Sequence, residues 1–293
     1  MSKEKNIDIS VLIPAHGKAT FLLEALASIS MQKFPNKYEI LLIDQKLSSI
    51  ILQQVRAQKY ANLRIISDTG FGLISALNLG LESAQYNWIA RIDSDDIMHK
   101  SRIEKQCTVI KKDPRIILVG GQAQRIDAGN KLGARIKYPR SNLAIKLTLK
   151  AVCPIPHPGV LVRKDLVLKA GGYSIKYPHV EDYELWCRLS KLGRFKNIKS
   201  TVLFYRTHPE QVTRKYQKEI NVNLVQILCK NFSVIGKDKK HEMQFFEDIF
   251  WYLNKRHFFG VIRTLFSSKV KRKLKYQYII LRLTHKLILF IRI

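Results

Sequence analysis

A chain of 293 residues with 51 Lys and Arg against 23 Asp and Glu carries a formal charge of +28. Such a charge calls for a polyanionic neighbour, which is nucleic acid, an anionic membrane or a phosphate-rich substrate. With 46% hydrophobic and 10% aromatic residues the chain can bury a large core, which excludes disorder as the default and suits one α/β domain or a catalytic domain with an appendage. Cys107, Cys153, Cys187 and Cys229 are scattered without a CxxC pair or metal-ligand spacing, so they read as reduced thiols of a cytosolic protein. The N-terminal residues lead into an apolar run without the stretch of a signal peptide, and nothing in the sequence predicts export.

Ile9 to Pro14 is a short apolar run stopped by proline, the pattern of a strand buried on both faces. A helix is predicted from about Thr20 to Ser30, with Leu22, Leu23, Leu26 and Ile29 on one face. Tyr38 to Asp44 is a second buried strand that ends in an acid. A helix from Ser48 to Lys59, a strand from Leu63 to Ser67, a helix from Gly72 to Ser83 and a strand from Trp88 to Ile92 follow. Alternation of strand and helix predicts a parallel sheet with helices on both faces, and ligands of such sheets gather at the carboxyl ends of strands. Pro14, Asp44 and Asp93 fall there.

The strand at Trp88 runs into Asp93-Ser94-Asp95-Asp96. Strand alternation would set Asp93 and Asp95 on one side, while Asp96 points away or begins the following turn. Like charges held this close are most readily kept together by a hard divalent cation, Mg²⁺ or Mn²⁺; without one, the cluster is a solvated turn before the helix near Ser101. Beyond Lys112 the rhythm changes to a strand at Ile116 to Val119, a break at Gly120-Gly121 and a hairpin through Asp127 to Asn130. Three prolines make Cys153 to Gly159 a shaped loop. Glu181 and Asp182 enter an amphipathic helix, where the dipole favours carboxylates, and a strand at Thr201 to Tyr205 leads into Arg206-Thr207-His208.

These residues resemble the family 2 glycosyltransferases, over about Ile7 to Thr213. The resemblance rests on Pro14, the acid-tipped strand at Asp44, Gly72 to Gly80, Trp88 to Asp96, His157-Pro158, Gly171-Gly172-Tyr173, Glu181 to Trp186 and Tyr205 to His208. It implies a GT-A fold, a Rossmann-like mixed sheet flanked by helices, in residues 1–213, with a basic helical appendage in 214–293. It implies an inverting enzyme that uses a nucleotide-diphosphate sugar, a UDP-sugar above others, with Mn²⁺ or Mg²⁺. Asp44 matches the acid that contacts the base, Asp93 and Asp95 the DxD pair, Asp182 the general base and His208 a metal or diphosphate ligand. Asn78 lies in the matching donor loop, and Arg91 can pair with the acids or with phosphate.

Other readings stay open at several positions. His157 can contact acceptor or bond within its loop, Trp186 can wall the cleft or fill the core, and Glu181 and Asp96 can support the site from behind. The chain departs from the family pattern at Gln45 to Ser48, at Leu77 and at His16, all on the donor side. A degenerate relative, a nucleotidyltransferase and a nucleic-acid-binding protein are the rivals; the acid cluster speaks against the last.

From Trp251 to the C-terminus there is no Asp or Glu, while Lys271, Lys275, Arg282, Lys286 and Arg292 recur among apolar residues. That pattern is too charged to span a bilayer; it suits an amphipathic helix on an anionic membrane, the alternative being a basic helix packed on the catalytic domain. The expectation is a peripheral protein on the inner face of the membrane, with a glycan or lipid-linked acceptor in cell-surface polysaccharide or lipopolysaccharide synthesis.

Overall fold

The computed structural model describes residues 6–208 except 71 and 151, together with scattered positions between 216 and 227. The predicted tail helix and the domain boundary near 213 lie outside the described residues, as does Cys229.

Strand β1 (Ile9–His16) is the centre of the parallel half of the sheet. It pairs with β2 (Tyr38–Gln45) on one side and β4 (Trp88–Arg91) on the other, and β3 (Leu63–Ser67) extends the sheet beyond β2. Both faces of β1 are buried, as its apolar run requires. Helices α1 (Leu22–Ser30), α2 (Ser49–Ala57) and α3 (Gly72–Ser83) connect these strands. Ser48 caps α2 by accepting from the backbone N–H of Ile51. The chain leaves β1 for β2 on one side and later returns to its other side with β4, so a crevice opens at the carboxyl ends of β1 and β4.

The second half is antiparallel at its seam. After β5 (Ile97–Met98) and α4 (Arg102–Lys112), β6 (Ile116–Ile126) and β7 (Leu132–Ile136) form a hairpin. Helix α5 (Asn142–Thr148) precedes β8 (Leu161–Arg163), which lies between β4 and β6 and is antiparallel to both. Helices α6 (Lys164–Lys169) and α7 (Glu181–Leu189) follow, and β9 (Arg194–Arg206) closes the sheet between β6 and β5.

Several expectations change here. Pro14 does not stop β1, which continues to His16; Pro14 stands opposite Ile43, and its fixed φ is compatible with extended backbone. Gly120-Gly121 is not a break, because β6 runs through it. A Cβ on Gly120 would lie 2.2 Å from Asn197 Oδ1, and one on Gly121 2.4 Å from Val202 Cγ1. The pair therefore permits β9 to approach where the register shifts. The last strand begins at Arg194 rather than Thr201, and its buried Asn197 donates to the carbonyls of Pro139 at 2.7 Å and Pro154 at 2.9 Å. Within the proline-rich loop, His157–Gly159 forms one 3₁₀ turn.

At the far end of the described chain, Ile220 and Ile227 are buried in the same apolar cluster as Trp186 and Leu189 of α7. Asn223 donates to the Pro178 carbonyl at 3.0 Å, and Tyr216 stacks on His179. The described positions from 219 to 227 are helical.

Candidate active site

Strand β4 ends at Arg91, so Asp93 to Asp96 form a turn and strand alternation no longer governs them. Asp96 consequently does not turn away. One carboxylate oxygen from each of Asp93, Asp95 and Asp96 comes within 4.8 Å of the other two. Each acid is held differently. Asp93 takes both terminal nitrogens of the buried Arg91 guanidinium, Asp95 Oδ2 meets His208 Nε2 at 2.9 Å, and Asp96 Oδ1 accepts from the Arg206 backbone N–H at 2.8 Å.

Two more carboxylates, on α7, act electrostatically on this cluster. Glu181 and Asp182 occupy its first turn, next to Val180 at the N-terminus, where the unpaired N–H groups favour negative charge. Asp182 Oδ1 accepts from the Tyr183 backbone N–H at 2.7 Å, and its Oδ2 accepts from the Cys153 thiol at 3.5 Å. Helix α7 is fixed from behind. Arg188 pairs with the buried Glu184 and donates to the Gly172 carbonyl at 2.7 Å. The Tyr183 hydroxyl donates to the Leu149 carbonyl at 2.5 Å.

Burial and mutual repulsion set the electrostatics. Asp93 is pushed up to about 6, chiefly by desolvation and then by Asp95 and Asp182, against the pull of Arg91. Asp96 is raised well above the ordinary carboxylate range by burial and by Asp93 and Asp95. Glu181 is raised to about 7 by burial and by Asp182, and Asp182 is raised by burial. Asp96 Oδ2 is buried without a hydrogen-bond partner. Three converging oxygen ligands, an orphaned carboxylate oxygen and a histidine on Asp95 fit a hard divalent cation.

The raised pKa of Glu181 has a measurable consequence. Between its unfolded value near 4.3 and its folded value near 7 the native state holds the extra proton, so stability falls as pH rises through that window. Asp93 adds the same sign up to about 6. Glu181→Gln removes the ionisable group, and we expect it to exceed the parent in stability by about 2 kcal/mol at pH 8 while differing little at pH 4. Thermal melts across that range test this; parallel curves for the two proteins would refute it.

The remaining positions fall into two groups. On the donor side, Asp44 Oδ1 accepts from the Leu47 backbone N–H at 2.7 Å. Gln45, one of the departures from the family pattern, bridges Asp68 at 2.8 Å and the Gly72 carbonyl at 2.9 Å. His16 Nδ1 lies 2.7 Å from the Gln45 carbonyl. These contacts tie the ends of β1, β2 and β3 to the start of α3 around the crevice. Asn78 joins α3 to the second half of the fold, because its amide donates to the Tyr173 carbonyl and accepts from the Tyr173 N–H, each at 2.9 Å. In the interior, His157 is buried with Nε2 at 2.9 Å from the Tyr173 hydroxyl and its ring edge-on to Trp186. Burial and Arg91 hold its pKa well below the usual value. Trp186 is completely buried, which makes it core.

Four contributors carry little sequence signal. Arg102 is wholly buried and donates to the carbonyls of Arg91, Pro158 and Val160 and to Gln106, which joins the acid-bearing strand end to the proline-rich loop. Arg206, equally buried, donates to the Asp95 carbonyl at 2.7 Å and to Glu24 at 2.9 Å. Cys153 and Tyr173 meet Asp182 and His157. An isolated Arg, Cys or Tyr in sequence does not disclose such partners. Arg206 and Tyr173 had a cue, their places in the Tyr205 to His208 and Gly171-Gly172-Tyr173 motifs.

Comparison with known proteins agrees with this geometry. The model of glycosyl transferase family 2 matches residues 10–169. The amylovoran biosynthesis glycosyltransferase AmsE of Erwinia amylovora is 33% identical over 214 residues, covering 70% of this chain and 79% of the relative. An Escherichia coli UDP-Gal:alpha-D-GlcNAc-diphosphoundecaprenol beta-1,3-galactosyltransferase is 28% identical over 200 residues, covering 67% of this chain and 72% of the relative. Among solved structures, S. aureus TarS 1-349 in complex with UDP-GlcNAc superposes with a TM-score of 0.60 at 16% identity, covering 94% of this chain and 79% of that one. The mannosyltransferase PcManGT of Pyrobaculum calidifontis, in complex with GDP-Man and Mn²⁺, does so with a TM-score of 0.59 at 16% identity, covering 88% and 73%. The chain belongs to glycosyltransferase family 2 and is a transferase with the GT-A fold.

Proposed function

We propose that the enzyme is an inverting glycosyltransferase that moves a sugar from a UDP-sugar to a glycan or lipid-linked acceptor during cell-surface polysaccharide or lipopolysaccharide synthesis. The observation that carries the reading is the meeting of two acid groups, Asp93, Asp95 and Asp96 on one side and Glu181 and Asp182 on the other, close enough that Asp182 raises the pKa of Asp93. The donor and acceptor classes draw support from the E. coli galactosyltransferase, whose name gives a UDP-sugar and a diphosphoundecaprenol-linked acceptor. The pathway draws on the amylovoran relative.

Asp95, Asp93 and His208 would hold Mn²⁺ or Mg²⁺, which supplies Lewis acidity toward a departing diphosphate. Arg91 fixes the orientation of Asp93 through its two-pronged contact, and Asp44 stands at the end of β2 where a carboxylate can accept from a base N–H. Asp182 takes the proton of the acceptor hydroxyl as that oxygen attacks the anomeric carbon. Burial makes Asp182 a stronger base than an exposed aspartate. A single displacement inverts the anomeric centre and requires no second nucleophile.

Among the described residues no helix is long and apolar enough to cross a membrane. In this reading the protein works peripherally on the cytoplasmic face, with the acid-free segment from Trp251 onward against anionic lipid. Thermal melts with a panel of nucleoside diphosphates, with and without Mn²⁺, test the donor site, since a ligand that binds only the native state raises the melting temperature. Metal-dependent stabilisation by UDP is the expected result. No response to any nucleotide would overturn the reading, and a response to GDP alone would correct the donor.

A further inference from the structure

A second basic stretch lies inside the catalytic body. No Asp or Glu occurs between Asp127 and Asp165, while Lys131, Arg135, Lys137, Arg140, Lys146 and Lys150 do. Helix α5 lies in this stretch. Its inner side is fixed, with Ile145, Thr148 and Leu149 buried, Asn142 Oδ1 accepting from the Phe195 N–H at 2.9 Å, and the Leu149 carbonyl taking the Tyr183 hydroxyl.

Its outer side presents Leu143, 69% exposed, and Leu147, 41% exposed, one turn apart. Lys150 continues the same stripe three residues on, and Lys146 lies beside it. Two exposed leucines framed by lysines, in a segment without a carboxylate, are poor for solubility and poor for phosphate-backbone recognition. They match a surface that is apolar beneath an anionic layer.

We propose that the outer face of α5 docks on an anionic lipid bilayer, with Leu143 and Leu147 entering the headgroup region and Lys146 and Lys150 meeting lipid phosphates. Charge complementarity selects this occupant, because a second copy of a chain with a charge of +28 would bring like charge against the lysines. Helix α5 is tied to the acid-bearing helix through its inner side, because Tyr183, which bonds the end of α5, directly follows Asp182. A bilayer on the outer face would thus be separated from the helix that carries the proposed base by α5 itself.

The test uses the full chain, sedimented with vesicles of phosphatidylcholine alone or doped with phosphatidylglycerol. The parent protein should partition to the doped vesicles and lose that partition as salt rises. Leu143→Ser with Leu147→Ser should lower partition about tenfold with an unchanged melting temperature, since both side chains already face water. Lys146→Glu with Lys150→Glu should lower it comparably and flatten the salt dependence. Parent-like partition of both double variants would overturn the proposal and leave binding to other surfaces. So would leucine variants that change only self-association in light scattering, or a parent protein that ignores vesicles and binds duplex DNA. Partition requires no turnover, so this result stands or falls separately from the role of Asp182.

Discussion

Asp182→Asn should lower turnover by about 10²–10⁴-fold, the range general base catalysis supplies, while donor binding stays close to that of the parent. The substitution is nearly isosteric. Its amide oxygen can still accept from the Tyr183 N–H that holds Asp182 at 2.7 Å, so α7 keeps its first turn and what disappears is the capacity to take a proton. A positioning role would lower the rate at every pH alike. Loss of a base removes the acidic limb of the kcat/KM profile, so the profile separates the two. Cys153 sharpens the comparison, because its thiol donates to the other oxygen of Asp182. Cys153→Ser keeps a donor there and should retain most of the activity. An Asp182→Asn enzyme with parent turnover would remove Asp182 from the mechanism.

The second large effect is expected at Asp95. Asp95→Asn removes a negative charge from three acids whose oxygens lie within 4.8 Å, yet leaves an oxygen to meet His208. The turn should survive, and relief of repulsion should lower the pKa of Asp93, which Asp95 helps to raise. The Mn²⁺-dependent part of nucleotide stabilisation should vanish, and turnover should drop by about 10²-fold or more, as loss of several kcal/mol of charge stabilisation implies. Metal titrations followed by melting temperature read the first effect without any substrate. If Asp95→Asn shows the parent's response to Mn²⁺, the cation is held elsewhere.

The parallel half of the fold was legible because both faces of β1 and β2 are buried, so uninterrupted apolar runs stand out against the amphipathic helices between them. The Asp93 to Asp96 cluster was legible as a gathering of carboxylates because the acids are neighbours in the chain, and one oxygen of each of Asp93, Asp95 and Asp96 does converge on the others. What sequence periodicity could not give was the second half. There β9 starts with Arg194 and Lys196 and buries Asn197 on two proline carbonyls, and β6 passes through two glycines whose missing side chains make room for it. Both features are set by a partner strand distant in sequence. Of the two directions open to Asp96, pointing away fails for a local reason, since β4 ends sooner than the apolar run. Gln45 stood out as a departure on the donor side, and the sequence did not disclose that its amide bridges Asp68 and the Gly72 carbonyl.

Arg206 closes the acid turn from more than a hundred residues away, through its N–H on Asp96 and its guanidinium on the Asp95 carbonyl, and β5 is paired to β9 just before it. This wiring sets an order of events during synthesis. A nascent chain that has emerged only as far as α7 already owns the parallel strands, the acids and the proposed base. It lacks the strand that locks the acid turn and the histidine that meets Asp95. The acid turn therefore cannot take its described geometry until residues 194–208 have been synthesised, so its completion comes at the end of the described body's translation.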